Sequence, residues 1–257
     1  MANRALPIFP ANFNRYLEPF LGGAAIFFHL NPERGILSDS NWALIETYMT
    51  IKEAPCEIEE RLEVLQARHS DDFYYSQRSK GYKDPVKNAA KFIYLNRTCF
   101  NGMYRENLKG EFNVPRGTKN AVVLKTDCFS KIAQMLSAIN VECCDFEITI
   151  DKADAFDFIY VDPPFTVKHN HNGFVKYNQR IFSWTDQERL FRSLERAALR
   201  GAMILISNAD HESIRELYAS STVNWDIQSM SRASLVGSKP EYRGTYDEIL
   251  ISNYSNI

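Results

Sequence analysis

The sequence contains no apolar stretch long enough to span a bilayer, which removes the membrane-spanning classes. Its start lacks the charged-then-apolar layout of a secretory signal. Cysteine is sparse and odd in number: Cys56, Cys99, Cys128, Cys143 and Cys144 share no paired spacing. A disulfide framework and a zinc motif are both disfavoured, and the expectation is reduced thiols in the cytoplasm. There is no internal repeat and no low-complexity segment. Also missing is the G-x-G-x-x-G triplet that seats a pyrophosphate, so a dinucleotide cofactor is disfavoured. Net charge is small, −2, which excludes a uniformly basic polyanion binder.

What is present is unevenly distributed. Between Arg78 and Lys125 stand eleven Lys or Arg against three acids, a local balance of +8 that leaves −10 for the rest of the chain. A basic segment in an acidic body is an electrostatic footprint for a polyanion. Aromatics and turn residues are interleaved with these charges, unlike the solvated face of a plain amphipathic helix.

The length of 257 residues accommodates one substantial core with a large insertion. Strands are expected over 15–18 and 35–37, the latter ending at Asp39, with helices from Ala24 and over 41–51. The β–α alternation then stops until about Asn120. Helical periodicity covers 57–68 and 85–97, and residues 111–114 look like the returning strand of a hairpin. Alternation resumes with a helix over 128–139 and strands over 141–143, 157–161 and 202–207. A helix over 185–200 is expected to be capped by Thr185 with Glu188 in the capping-box position. A further helix covers 213–218, and 225–229 and 248–252 supply the last, partly antiparallel strands. The sum is a doubly wound α/β sheet interrupted by an inserted region of about seventy residues.

Asp162-Pro163-Pro164-Phe165 follows the apolar run 156–161 and reads as the loop leaving the C-terminal end of a buried parallel strand, where open α/β sheets bind ligands. The carboxylate accepts hydrogen bonds, the prolines stiffen the loop and remove donors, and the phenyl ring offers a stacking face. That combination suits a planar group bearing an amino nitrogen, such as a nucleobase. A second loop, Glu18-Pro19-Phe20-Leu21-Gly22-Gly23, leaves the first strand through a glycine pair that lets a ligand approach the backbone closely. Asp39 ends the next strand, where an acid accepts from ribose hydroxyls. Asp145 is placed to accept from an adenine amino group, with Phe146 beside it to pack the ring. A nucleoside-like cofactor is therefore preferred.

These segments resemble the Dam-type DNA adenine-N6 methyltransferases along nearly the whole chain. Residues 14–23 resemble the first S-adenosylmethionine motif, 37–41 the acidic ribose turn, and 144–146 the segment holding the cofactor adenine. Residues 157–165 resemble the catalytic strand and loop, and 246–254 the final strand. The resemblance implies a Rossmann-like class I methyltransferase sheet over 1–51 and 121–257, and a mostly helical DNA-recognition insertion with a β-hairpin over 52–120. It implies methyl transfer from S-adenosylmethionine to an adenine flipped out of double-stranded DNA. Asp162, Pro163, Pro164 and Phe165 would carry the chemistry, and Glu18, Pro19, Phe20, Gly22, Gly23, Asp39, Asp145 and Phe146 the cofactor. No metal is required. The family usually has Tyr where this chain has Phe165, a change that keeps the stacking face. The family's Lys- and Gly-rich opening segment has no counterpart in residues 1–7, which implies a weakly tethered methionine end.

Residues 97–117 resemble the family's recognition hairpin. Arg97, Asn101, Met103, Arg105, Lys109, Pro115, Arg116 and Lys119 are the expected DNA contacts. Arg105 matches the guanine-reading arginine of relatives that recognise GATC, while Lys119 stands near a position where they carry arginine. Phe100, Met103, Tyr104 and Phe112 are expected to form a small satellite core, with Arg105, Arg116 and Lys119 pointing outward. Lys91 and Lys109 are expected to contact phosphates. His169 and His171 have no third ligand in view and read as part of a substrate-side loop. Ser207-Asn208 ends a strand and shapes the pocket. The enzyme would act alone or beside a restriction or defence partner. Competing readings are amino-methylation of cytosine N4 or RNA, and a catalytically weak DNA-binding module.

Overall fold

The computed structural model describes residues 8–107, 110–167, 182–233 and 245–255. The chain divides into two compact units: Met1–Ser40 with Glu142–Ile257, and Asn41–Val141. Seven strands form one sheet: β1 (Tyr16–Glu18), β2 (Gly35–Asp39), β3 (Ile139–Cys143), β4 (Phe158–Val161), β5 (Met203–Ala209), β6 (Asp226–Ala233) and β7 (Thr245–Ser252). Helices among the described residues are α1 (Ala25–Leu30), α2 (Trp42–Glu53), α3 (Pro55–Ala67), α4 (Asp71–Ser79), α5 (Pro85–Thr98), α6 (Phe129–Leu136), α7 (Phe146–Asp151), α8 (Trp184–Leu199) and α9 (Glu212–Ala219).

The strand order is β3-β2-β1-β4-β5-β7-β6. β1 runs parallel to β2 and β4, and β4 parallel to β5; β7 is antiparallel between β5 and β6. Chain order therefore reverses between β1 and β4, and at such a switch point the connections part and leave a crevice at the strand ends. Every side chain of β4 is buried, as expected for a strand covered on both faces. On one face Leu17, Ile159, Val161, Ile204, Ile206, Ile249 and Ile251 join Leu190 and Leu194 of α8 and Ile214 and Tyr218 of α9 in a single core. Each such side chain contributes roughly 1.5–3 kcal/mol. Asp157, 1% exposed, pins the entry of β4 to β1 by accepting from the Arg15 guanidinium at 2.5 Å and from the Arg15 backbone N–H at 3.1 Å.

The second unit is built on α2 to α6 around Ile51, Ile58, Leu62, Leu65, Tyr94, Leu95, Val114, Val122 and Phe129. The expected insertion over 52–120 lies within it. Its α5 starts where the sequence demands, with Asp84 capping through Lys87 N–H and Pro85 in the first turn.

Three local expectations are corrected. The helix expected to be capped by Thr185 begins one residue earlier, with Ser183 as its cap and Asp186 completing the box. Ser183/Asp186 and Thr185/Glu188 share the capping-box spacing, and the first pair closes it: Ser183 Oγ accepts from Asp186 N–H at 3.2 Å and Asp186 Oδ2 from Ser183 N–H at 2.9 Å, while Glu188 accepts from Trp184 Nε1 at 2.8 Å. Residues 111–114 form no ladder: the pairing reduces to isolated bridges at Glu106↔Phe112 and Cys99↔Arg116. Backbone bonds still cross the turn, from Asn107 N–H to the Glu111 carbonyl at 2.9 Å and from Asn113 N–H to the Arg105 carbonyl at 3.1 Å, and the Asn107 side chain adds two more with Glu111. Two helices, α4 and α7, were not expected; α4 buries just Tyr74 and Gln77, too little for a clear apolar period.

Candidate functional site

Three acids end three neighbouring strands of the sheet unit. Glu18 closes β1 in the centre, Asp39 closes β2 on one side, and Asp162 follows β4 on the other. Glu18 is buried at 3% exposure, and the fully buried Tyr16 donates its hydroxyl to Oε2 at 3.0 Å. Burial, together with the negative charges of Asp162 and Asp39, pushes the Glu18 carboxyl up to about 8, against the hydrogen bonds from Tyr16 and the Phe27 backbone. Tyr16 itself is pushed well above its ordinary range, first by burial and then by Glu18.

The loop after β1 turns over this cluster. Gly22 adopts φ +45°, a left-handed conformation that favours glycine, and its N–H donates to Asp39 Oδ2 at 3.2 Å. A Cβ at Gly22 or Gly23 would meet nothing within 4 Å, so this backbone borders open space. Pro19 is buried, and Phe20 stacks on Phe146 with centroids 5.3 Å apart. Phe146 is also packed by Phe182 at 5.8 Å, and the Arg189 guanidinium lies 4.4 Å from its ring centre. Asp145 caps α7 through Glu147 N–H at 3.0 Å and pairs with Arg189 at 2.8 Å. Arg189 was not anticipated, because it sits in an ordinary amphipathic helix 44 residues from its partner. Open backbone at Gly22 and Gly23, the carboxyls of Glu18 and Asp39 and the partly exposed Phe20 ring therefore border the ends of these strands.

Asp162 is exposed, Pro163 buried, and Pro164 and Phe165 half-buried. The loop is anchored beyond them: the fully buried Thr166 donates to the Phe182 carbonyl at 2.7 Å. Ser207 and Asn208 are fully buried near the end of β5. The register Val161↔Ile206 places position 207 one step further along, beside position 162. Ser207 Oγ has no hydrogen-bond partner among the described residues. His169 and His171 lie outside the described residues, as do residues 1–7.

In the second unit the expected DNA contacts separate into two groups. Arg97 is consumed internally: it grips Asp127 through two bonds of 2.7 and 2.8 Å and donates to the Val122 carbonyl at 2.6 Å. Arg116, expected to point outward, is held by Asp71 at 2.9 Å and Asn120 at 2.5 Å. Lys91, expected at a phosphate, donates to the Lys80 carbonyl at 2.6 Å, and burial lowers its proton affinity. By contrast Asn101, Pro115 and Lys119 are exposed, and Met103 and Arg105 are half-buried. Arg105 Nε donates to Asn113 Oδ1 at 2.8 Å. Tyr104 packs on Phe92 and Phe112, but Phe100 is 41% exposed and does not join a core. Gly117 crosses so close to Cys99 that a Cβ would sit 2.4 Å from its carbonyl oxygen, which fixes the base of this segment. Lys109 lies outside the described residues.

Comparison with known proteins gives this arrangement a context. The family described as D12 class N6 adenine-specific DNA methyltransferase matches residues 2–231. A type II methyltransferase of Lactococcus lactis subsp. cremoris is 33% identical, with 97% of this chain and 89% of the relative covered. A type II methyltransferase of Methanocaldococcus jannaschii is 33% identical, with 95% and 89% covered. A DNA adenine methylase of Haemophilus influenzae is 34% identical, with 82% and 76% covered.

Proposed function

The chain belongs to the D12 class of N6 adenine-specific DNA methyltransferases, and from that premise we propose that its strand-end crevice holds S-adenosylmethionine while the Asp162–Phe165 loop receives an adenine flipped out of double-stranded DNA. The observation that carries this reading is the place of Asp162-Pro163-Pro164-Phe165: it leaves β4 at the reversal of strand order, beside the acids that end β1 and β2.

The cofactor's parts find matching partners. Asp39 suits the ribose hydroxyls, Asp145 the adenine amino group, and the Phe20–Phe146 pair the adenine ring, with Glu18 and the open backbone of Gly22 and Gly23 toward the charged end. When bound, the cofactor supplies a methyl carbon on a positively charged sulfur, which leaves as a neutral thioether.

The remaining work falls to the chain. The adenine amino nitrogen is a poor nucleophile because its lone pair is delocalised into the ring. Asp162 accepts one of its hydrogens and the Pro163 carbonyl the other, which favours a pyramidal nitrogen with its lone pair turned outward. Pro163 and Pro164 bring no N–H to compete for those acceptors. Phe165 stacks on the flipped base. Nitrogen gains the methyl and loses one proton, which passes to solvent by way of the exposed Asp162, and no covalent bond to the protein forms. Catalysis is positioning and electrostatics.

Arg105, Lys119 and the exposed Asn101 and Pro115 are the proposed DNA contacts, with Arg105 reading guanine and GATC as the site. Arg97 and Arg116 hold the recognition unit in shape. The type II names of two relatives support a companion restriction enzyme. Sequencing of modified bases in DNA from cells expressing the chain tests the site. N6-methyladenine confined to GATC is expected; a different methylated motif would overturn the reading of Arg105 and Lys119.

A further inference from the structure

The central acid of the crevice has a property that its role as a cofactor ligand does not by itself require. Glu18 accepts from Tyr16 on its own strand, stands at a strand end between those of β2 and β4 that carry Asp39 and Asp162, and is also stabilised in its charged form by the Phe27 backbone of α1. Two of these neighbours are acids and one is a buried phenol. Three carboxyl groups at adjacent strand ends repel one another, and burial at 3% exposure denies the middle one water to spread its charge. A ligand with net charge +1, such as S-adenosylmethionine with its sulfonium, ammonium and carboxylate, reverses that balance.

We infer that Glu18 is neutral in the cofactor-free protein and releases its proton to solvent as the cationic cofactor binds, so that the crevice takes up the cofactor by exchanging one positive charge for another. Tyr16 is the positioning residue: its hydroxyl aims the carboxyl and stabilises the charged form once the proton has left. The inference rests on the reading of the crevice as the S-adenosylmethionine site. It accounts for a buried tyrosine beneath that loop, which the chemistry at Asp162 does not use. The raised proton affinity of Glu18, to about 8, agrees with the geometry.

The sign follows from linkage. Below about pH 8 the free protein holds the proton and the complex does not, so apparent affinity rises with pH and levels off above it. Isothermal titration of S-adenosylmethionine into the full chain, in two buffers of different ionisation enthalpy, reads both proton count and affinity. Work between pH 6 and 7 keeps the cofactor's own amino group protonated, since such groups titrate near ~8. The expected result is close to one proton released per cofactor and an affinity about tenfold tighter at pH 7 than at pH 6.

Glu18→Gln should bind with no proton release and no pH dependence over that range. Tyr16→Phe keeps the ring volume but removes the donor, so the pH at which affinity levels off should move upward. Cofactor binding by the wild type without proton release, or release that persists in Glu18→Gln, would overturn the inference and leave the cofactor reading intact. Absence of binding at any pH, checked by equilibrium dialysis with labelled cofactor, would instead overturn the cofactor reading itself.

Discussion

In the sheet unit Glu18, Asp39 and Asp162 close three adjacent strands at one edge, whereas in the second unit Arg97 and Arg116 are each gripped by an acid of that same unit. The sheet unit gathers three carboxyl groups side by side, with the middle one buried and its proton affinity raised. Tolerated repulsion of this kind costs stability and persists where a ligand of opposite charge relieves it. The second unit does the reverse, spending conspicuous positive charges on internal ion pairs. A basic stretch of sequence therefore overstates the charge available to a polyanion, while a short acidic loop can understate the field at a crevice.

The largest expected effect probes the acidic edge. Asp162→Ala should lower the rate of methyl transfer about 10³-fold, the scale of losing a positioned electrostatic partner. The fold should be unchanged, because Asp162 is exposed and its removal opens no core cavity. Single-turnover transfer of labelled methyl measures the rate, and a denaturant melt checks the fold.

Arg97 and Arg105 give the sharpest contrast on the basic side. Arg97→Ala should destabilise the second unit by about 3 kcal/mol, because it leaves the largely buried Asp127 without its partner. Arg105→Ala should cost little stability but relax sequence preference by roughly 1–3 kcal/mol at one base pair. Urea melts and binding to a panel of duplexes separate the two. If Arg97→Ala altered site preference at unchanged stability, the division between structural and reading arginines would be wrong.

Phe165→Ala should weaken productive base binding by about 1–3 kcal/mol, and Phe165→Tyr should be tolerated, as read by KM for duplex substrate. The smallest effect concerns Lys91. With its ammonium on the Lys80 carbonyl, Lys91→Ala should leave DNA affinity and its salt dependence nearly unchanged, whereas Lys119→Ala should lower the salt slope by about one.

How legible each feature was in the sequence follows from how local its causes are. The placing of Glu18, Gly22, Asp39 and the Asp162–Phe165 loop at strand ends could be read directly, because strand and turn are contiguous in sequence and the parallel sheet brings the strand ends together. Arg97 and Arg116 could not be sorted from Arg105. Their partners Asp127 and Asp71 lie 30 and 45 positions away, and no local pattern joins them. The same distance hid Arg189, which closes over Phe146 and Asp145 from a helix with no motif of its own. The hairpin was legible as a turn with a returning arm, but not as one so short that two backbone bonds and a single bridge, Glu106↔Phe112, join its arms.

Duplex DNA is incubated with the purified chain and S-adenosylmethionine, digested to nucleosides and analysed by mass, with Asp162→Ala as the parallel sample. Adenine methylation through Asp162 requires N6-methyladenine with the wild type and almost none with the variant. Methyl groups on cytosine N4, or equal adenine methylation by both proteins, would contradict it.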